Sequence, residues 1–366
     1  MRFLRKQPVL SVAAVLAIIS AFFVLPDATY LSYPDYRTLA LLFCLMAVVA
    51  GWRKTGVFVF ISEKLLDKVG NQRGLVQLLV ALCFFSSMFI TNDVALIAFV
   101  PFGIYVEIMA GLSANMIIFT VVMQTVAANL GSMLLPIGNP QNLYLYNLSG
   151  QGMGEFILLM LPVWIASFVL IFATTFFIKG KPLAEEKHFK EGAKVDKKWI
   201  VFMILFILCL ATVAGFVPFY VVLAVVIVAL LIFDREIFRH VDYCLLLTFL
   251  AFFIFIGNMK RIDAVSQLIA SLLTGREFLV GVLASQVISN VPAAILLSGF
   301  TDKISTLILA TDIGGLGTPI ASLASLISMN EYLKSRDANP GKYLGVFMLV
   351  NILFLVVLCA FKLVVL

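Results

Sequence analysis

The chain has 366 residues, of which 62% are hydrophobic and 13% charged, with a mean hydropathy of +1.09. That composition excludes a soluble domain, because no water-facing fold of this size hides so much apolar surface, so lipid is the expected solvent. A formal net charge of +6 raises the question of nucleic acid, but the basic residues are placed to orient the chain in a membrane, and no nucleic-acid partner is expected.

The first apolar run, 9–25, follows the basic stretch MRFLRKQP. No small-residue cleavage site follows it, so it is expected to be a retained helix and not a removed leader. Further crossings are predicted at 37–51, 114–147 (broken), 155–178, 199–217, 218–233, 241–258, 304–330 (broken) and 343–365. Two amphipathic stretches, 57–70 and 262–275, are too short and one-sided to span and are expected in the interface. Thr91-Asn92-Asp93 and Ser289-Asn290 are predicted to form the tips of two re-entrant hairpins. The second tip is flanked by about ten apolar residues on each side, roughly 15 Å of helix and half a bilayer. The fold class is therefore an all-α polytopic membrane protein with about nine spanning helices plus two hairpins. Its expected domains are an N-terminal transmembrane half (1–178), a cytoplasmic linker (179–198) and a C-terminal transmembrane half (199–366).

The chain also repeats itself. PDYRTLALLFCLMAVVAG (34–51) is echoed by VDYCLLLTFLAFFIFIG (241–257), and each is followed by a basic pair, Arg53-Lys54 and Lys260-Arg261. SSMFITNDVALIAF (86–99) answers SQVISNVPAAILLSGF (285–300). ANLGSMLLPIGNPQN (128–142) aligns without a gap to TDIGGLGTPIASLAS (311–325), which sets Asn129 on Asp312, Gly131 on Gly314 and Pro136 on Pro319. Five crossings separate the starts of the two repeats, an odd number, so the repeats are expected to be inverted. With the N-terminus cytoplasmic, twenty of the 26 basic residues fall inside, as the positive-inside rule requires.

Helix breakers and amides at membrane depth need a reason, since an unsatisfied backbone group there costs several kcal/mol. Interrupted helices at corresponding places in two repeats point to a transport site near the midplane, where freed carbonyls suit a cation and half-helix N-termini an anion. The candidate substrate-binding residues are Thr91, Asn92, Asn139, Asn142, Ser289, Asn290, Thr318 and Ser322. The candidate ion-coupling residues are Asp93, Asn129, Gly138, Asp312, Gly314 and Gly317, with sodium as the only metal expected. Asp312 has an alternative role as a cap for the GGLG break. No Lys or Arg lies beside the tips or breaks in the sequence.

These residues resemble the ion transporter superfamily, which includes arsenite permeases, divalent-anion:sodium symporters of citrate-transporter type and certain sodium/proton antiporters. The resemblance runs from about 35 to 330 and rests on TND at the first tip, PIGNPQN, SNVPAA and GTPIASLAS. It implies two hairpins and two broken helices enclosing substrate and coupling ions. The tips read closer to the arsenite permeases than to the Ser-Asn-Thr of the sodium–dicarboxylate branch.

The expected function is secondary active transport of a small anion, a carboxylate or an inorganic oxyanion, coupled to sodium or protons. Arsenite/antimonite efflux or sodium/proton antiport is the alternative. No cofactor is expected beyond the coupling ion. The five cysteines lie in apolar runs without metal or disulfide spacing, and His188 and His240 sit in polar loops. A membrane-embedded enzyme lacks a constellation, and hairpins meeting midway suit an occluded site better than an open channel. No GxxxxGK[ST] loop is present, so energy comes from a gradient or, for an arsenite-type system, a separate ATPase subunit. The expected partners are the bilayer and the anion, the expected assembly a homodimer, and the expected location the cytoplasmic membrane.

Overall fold

Asp35 and Asp242 start two matched helices by the same means. Each carboxylate accepts the free backbone N–H of the helix's first turn, Asp35 from Thr38 at 3.1 Å and Asp242 from Leu245 at 3.0 Å. Each helix ends at its basic pair, where cations complement the carbonyl end of the helix dipole. The computed structural model describes residues 8–66, 69–183, 195–335 and 338–365. The centre of the expected linker (184–194, with His188) and Arg2, Arg5, Lys6, Lys68 and Arg336 lie outside them.

Among the described residues the chain is helical, with no strand. The first half comprises α1 (Pro8–Phe23), α2 (Tyr36–Lys54), α3 (Val57–Leu66), α4 (Gln72–Ile90), α5 (Asn92–Met109), α6 (Ala114–Gly131), α7 (Pro140–Ser149) and α8 (Met153–Phe176). The second comprises α9 (Trp199–Val213), α10 (Phe219–Phe233), α11 (Tyr243–Lys260), α12 (Asp263–Leu273), α13 (Glu277–Ile288), α14 (Asn290–Ser298), α15 (Ile304–Ile313), α16 (Leu323–Leu333) and α17 (Pro340–Val365).

Among the described residues seven helices are long and apolar enough to cross a membrane, or eight if α12 and α13, bent by 109° at their junction, count as one span. The chain is thus a multi-pass membrane protein, and its span count by length differs from the nine-plus-two expectation in three places. The expected broken span 304–330 is two short helices, α15 and α16, of 10 and 11 residues. Helices α1, α9 and α10 have only 15 or 16 residues. The arms of the first tip, in contrast, are of spanning length, 19 and 18 residues, whereas those of the second have 12 and 9. Sequence alone suggested equal hairpins because the tips match, but the first tip's apolar flanks simply run on further. Helices α4 and α5 pack against each other, and counting them as two crossings leaves the expected number between the repeats odd.

The halves interlock through exchanged contacts. Helix α1 packs on α11 of the other half, and α10 packs on α2. Each tip's first arm packs on its own half's broken helix, α4 on α6 and α13 on α15. Each second arm packs on the other half's post-break helix, α5 on α16 and α14 on α7. Three ion pairs show that α2 and α11 run in opposite senses. Lys54, at the end of α2, meets Asp234 and Glu236 on the segment leading into α11, at 2.7 and 2.6 Å. Arg261, just past the end of α11, meets Asp27 on the segment leading into α2, at 2.8 Å.

The window of α6 and its continuation, Ala114–Leu134, is 89% buried, against 28% for α8 and α17. The broken helix is therefore the protein-wrapped centre, and the peripheral helices are the ones that meet lipid.

Candidate functional site: two hairpin tips and two broken helices

Each tip is a single residue between two helices. Thr91 (φ 71°, ψ 153°) and Ser289 (φ 74°, ψ 152°) are the only non-glycine residues with positive φ among those described. That region is normally left to glycine, and occupying it costs of order 1–3 kcal/mol each. The geometry reverses the chain at once, so that α5 and α14 begin directly at Asn92 and Asn290. Each asparagine turns its Oδ1 onto the next backbone N–H, that of Asp93 at 2.9 Å and of Val291 at 3.0 Å.

Each broken helix is bonded by side chains from the other half's break, and the first also by its own tip. Asn129 Oδ1 accepts from Asn92 Nδ2 at 3.1 Å and from the Ser322 hydroxyl at 3.0 Å. At the matching position Asp312 Oδ1 accepts from Asn139 Nδ2 at 3.1 Å and Gln141 Nε2 at 3.3 Å. Asn139 and Ser322 are themselves matched residues, so each half's break supplies a donor to the other half's helix. Asn139 Oδ1 also caps α7 by accepting from Asn142 N at 3.0 Å. Asn142 Nδ2 reaches the Met133 carbonyl at 3.4 Å. The second tip is tied to the second break, with Asn290 N donating to the Ala321 carbonyl at 2.8 Å and Ser289 Oγ to the same oxygen at 3.4 Å.

Asn92, Asn129, Asn139, Asn142, Ser289, Asn290, Asp312 and Ser322 are all buried. Asp312 does not cap the GGLG break. Its partners are amides of the other half, and its Oδ2 is buried with no hydrogen-bond partner. Such an atom at membrane depth needs a proton or a cation.

The glycines assigned to ion coupling have steric work to do. A Cβ on Gly138 would fall 1.9 Å from the Ser132 carbonyl oxygen, and Gly317 holds φ +100°. Gly314 lies against Ser285, as its match Gly131 lies against Ser87. Thr318 is drawn away from the amide network, donating to the Gln286 carbonyl at 3.0 Å.

Gln286 was not anticipated. Its Nε2 donates to the carbonyls of Gly314 and Leu316 at 2.8 and 2.9 Å, and its Oε1 accepts from Thr318 N at 2.9 Å. It therefore satisfies the backbone that the second break sets free. In the first half Trp164 Nε1 does part of this for the Gly131 carbonyl at 3.2 Å. The available signal was a lone amide in an otherwise apolar arm, ASQVI. Gln141 was also missed, although it lies within PIGNPQN.

A cavity of about 150 Å³ opens between the halves. Thr91, Asp93 and Asn139 line it together with Arg53, His240 and Asp242. The sequence places no cation beside the tips, yet α2 folds so that its last turn brings Arg53 to this cavity. Asp93 is half-buried there, and no hydrogen bond is donated to its carboxylate among the described residues.

The profile of the citrate transporter family (CitMHS) matches residues 3–303. The chain is 34% identical over 333 residues to an uncharacterized transporter of Methanocaldococcus jannaschii, covering 89% of each. It is 30% identical over 300 residues to the inner membrane protein YbiR of Escherichia coli, covering 81% of this chain and 79% of that one. A 46 kDa membrane protein of Mycobacterium leprae is 23% identical over 344 residues, or 82% and 79% of the two chains.

Proposed function

We propose that this chain, which belongs to the citrate transporter family and is a membrane transporter, carries a small carboxylate-type anion or inorganic oxyanion across the cytoplasmic membrane. In this reading a sodium or proton gradient drives it, and its two inverted repeats alternate access to one site between the tips. The observation that carries the reading is the reciprocal bonding of Asn129 and Asp312 to donors from the opposite half. Four helices, α5, α7, α14 and α16, start at or directly after Asn92, Asn139, Asn290 and Ser322. Helix N-termini attract anions through their free N–H groups and dipoles, so an anion is attracted there without a lysine or arginine in the network. The unpartnered Oδ2 of Asp312 supplies a place for the coupling proton or sodium.

The transport cycle then needs only the two tips to change their contacts in turn. Substrate arriving from one face meets one tip, the coupling ion neutralises Asp312, and the rearranged halves expose the other tip. The orientation follows from the basic residues, with the N-terminus in the cytoplasm.

One observation favours a second reading of arsenite/antimonite efflux or sodium/proton exchange. The bonded network holds the carboxylate of Asp312 and no cationic side chain, which suits a neutral or cationic cargo. Uptake by proteoliposomes of labelled citrate, succinate and arsenite, each with and without imposed sodium and pH gradients, separates the two. Accumulation of a carboxylate that collapses with a sodium or proton ionophore is the expected result. Arsenite movement, or proton release driven by sodium with no anion carried, would replace the first reading with the second.

A further inference from the structure

The two basic pairs divide their labour in the same way. In Arg53-Lys54 the lysine is committed to Asp234 and Glu236, and in Lys260-Arg261 the arginine is committed to Asp27. The other member of each pair, Arg53 or Lys260, makes no ion pair among the described residues and is exposed. Each of these instead lines a cavity, and the two cavities lie at opposite ends of the antiparallel α2 and α11. Arg53 faces the cavity of about 150 Å³ that reaches Thr91 and Asn139. Lys260 faces one of about 530 Å³ walled by Gln151, Ser298, Thr301 and Ser305. The buried Ser298 hydroxyl on its wall lies 3.0 Å from the Tyr144 hydroxyl on α7, and Ser298 ends α14, the arm that starts at the Asn290 tip.

The helix dipole accounts for basic residues in a last turn. It does not account for one of each pair being clamped and the other turned to a cavity, twice, on matched helices.

We propose that Arg53 and Lys260 are a matched pair of anion-collecting cations, one at the mouth of each cavity, that draw carboxylate or oxyanion ligands toward the tips from the two membrane faces. The proposal deepens the anion-transport reading and rests on it. Carboxylates share both cavities, Asp93 and Asp242 with Arg53 and Asp302 with Lys260. Asp242 is occupied in capping α11. A mouth of mixed sign admits an anion best together with a proton or cation, as coupled entry requires. Charges at a rim act mainly on encounter rate and its salt dependence, and less on the steps that follow.

The test uses the full chain and [14C]citrate as probe, with right-side-out spheroplasts and inside-out membrane vesicles assayed in parallel. Lys260→Gln is expected to raise KM about five- to tenfold in spheroplasts only, and Arg53→Gln in inside-out vesicles only, with kcat within twofold. The rise should shrink at high salt, where wild type loses the same advantage. Lys260→Arg and Arg53→Lys should restore KM, while Lys54→Gln and Arg261→Gln should leave it unchanged. Variants that match wild type on both faces overturn the proposal, as does an equal KM rise in the two clamped-cation controls. If wild type transports no citrate, succinate or other labelled anion yet exchanges sodium for protons, the anion reading itself falls and this proposal with it.

Discussion

The two halves are most alike where backbone has to be managed and least alike where charge is placed. Thr91 and Ser289 reverse the chain at nearly identical angles, and Gly131 and Gly314 let the broken helices approach the arms at Ser87 and Ser285. Asn129 and Asp312 each accept two hydrogen bonds at Oδ1. Yet one is an amide and the other a carboxylate, and Asp93 has Val291 as its counterpart. Backbone geometry at membrane depth faces the same penalty in either half, so both halves retain the same solution. A charge needs to be present only once. On the proposed transport reading, substrate contacts would be shared between the halves and ion coupling would be concentrated at Asp93 and Asp312.

The comparison can be broken most severely at the glycines. A Cβ on Gly131 would lie 2.0 Å from the Phe84 carbonyl oxygen, and one on Gly314 would lie 2.6 Å from the Ala310 carbonyl oxygen. Backbone cannot yield as a flexible side chain does, so Gly131→Ala is expected to cost about 3 kcal/mol or more and to abolish monodisperse protein. Gly314→Ala should follow it with a smaller loss. Thermal unfolding and size exclusion in detergent would check both, and a wild-type profile for Gly131→Ala would mean that α4 and α6 are not held at this distance.

Next come the tip asparagines. Asn92→Ala and Asn290→Ala should each reduce transport at least tenfold while costing about 1–2 kcal/mol of stability, the worth of the few hydrogen bonds each side chain makes. Proteoliposome rates beside melting curves separate the two effects. A wild-type rate in either variant would make that asparagine a structural tie and leave its half without a substrate contact.

The charge asymmetry is sharpened by moving it. Asp312→Asn should fold, because Asn129 shows that the same frame holds an amide, and should lose or alter the dependence of transport on sodium or pH. The exchanged variant, Asn129→Asp with Asp312→Asn, keeps composition and swaps halves. Recovery of the gradient dependence would show that either half can hold the coupling charge. An unchanged response in Asp312→Asn alone would leave Asp93 as the coupling group.

The tips offer a smaller effect of opposite sign. Thr91→Gly and Ser289→Gly relieve positive φ but add chain entropy to the unfolded state, so each should stabilise by about 1 kcal/mol, and by similar amounts. Unequal shifts in melting temperature would mean that the near-identical angles hide different surroundings.

Much of this was legible because membrane chains advertise their interruptions. Gly, Pro and Asn stand out among apolar residues, and two interruptions in matched order point to one site. The partners of the freed backbone were not legible. Gln286 and Trp164 act on carbonyls far along the chain, and nothing local marks them. The unequal arms were hidden for a similar reason, since an apolar flank does not say where its helix stops. Nor could the sequence show which member of a basic pair turns to a cavity, because that depends on the rotation of α2 and α11 about their axes.

The smallest expected effect concerns the ion pairs that hold α2 and α11 in opposite senses. Hydrogen bonds from Arg261 and Thr29 hold the Asp27 carboxyl down at about 2, and a hydrogen bond from Lys54 likewise lowers Asp234. A carboxyl whose folded value is depressed binds fewer protons in the native state than unfolded, so its contribution is present above the ordinary carboxylate range near 4. It is lost as pH falls from there through the folded value, about 2 for Asp27. The cations of both pairs are exposed to water, where screening leaves little net energy. Asp27→Asn and Asp234→Asn should therefore shift the melting temperature less than the tip glycines do, and only at low salt. Above pH 5 each variant should melt slightly below wild type, and the gap should close on acidification, first in Asp234→Asn if its depression is the lesser. A gap that persists in 1 M salt would show that these residues hold α2 and α11 by packing instead of charge.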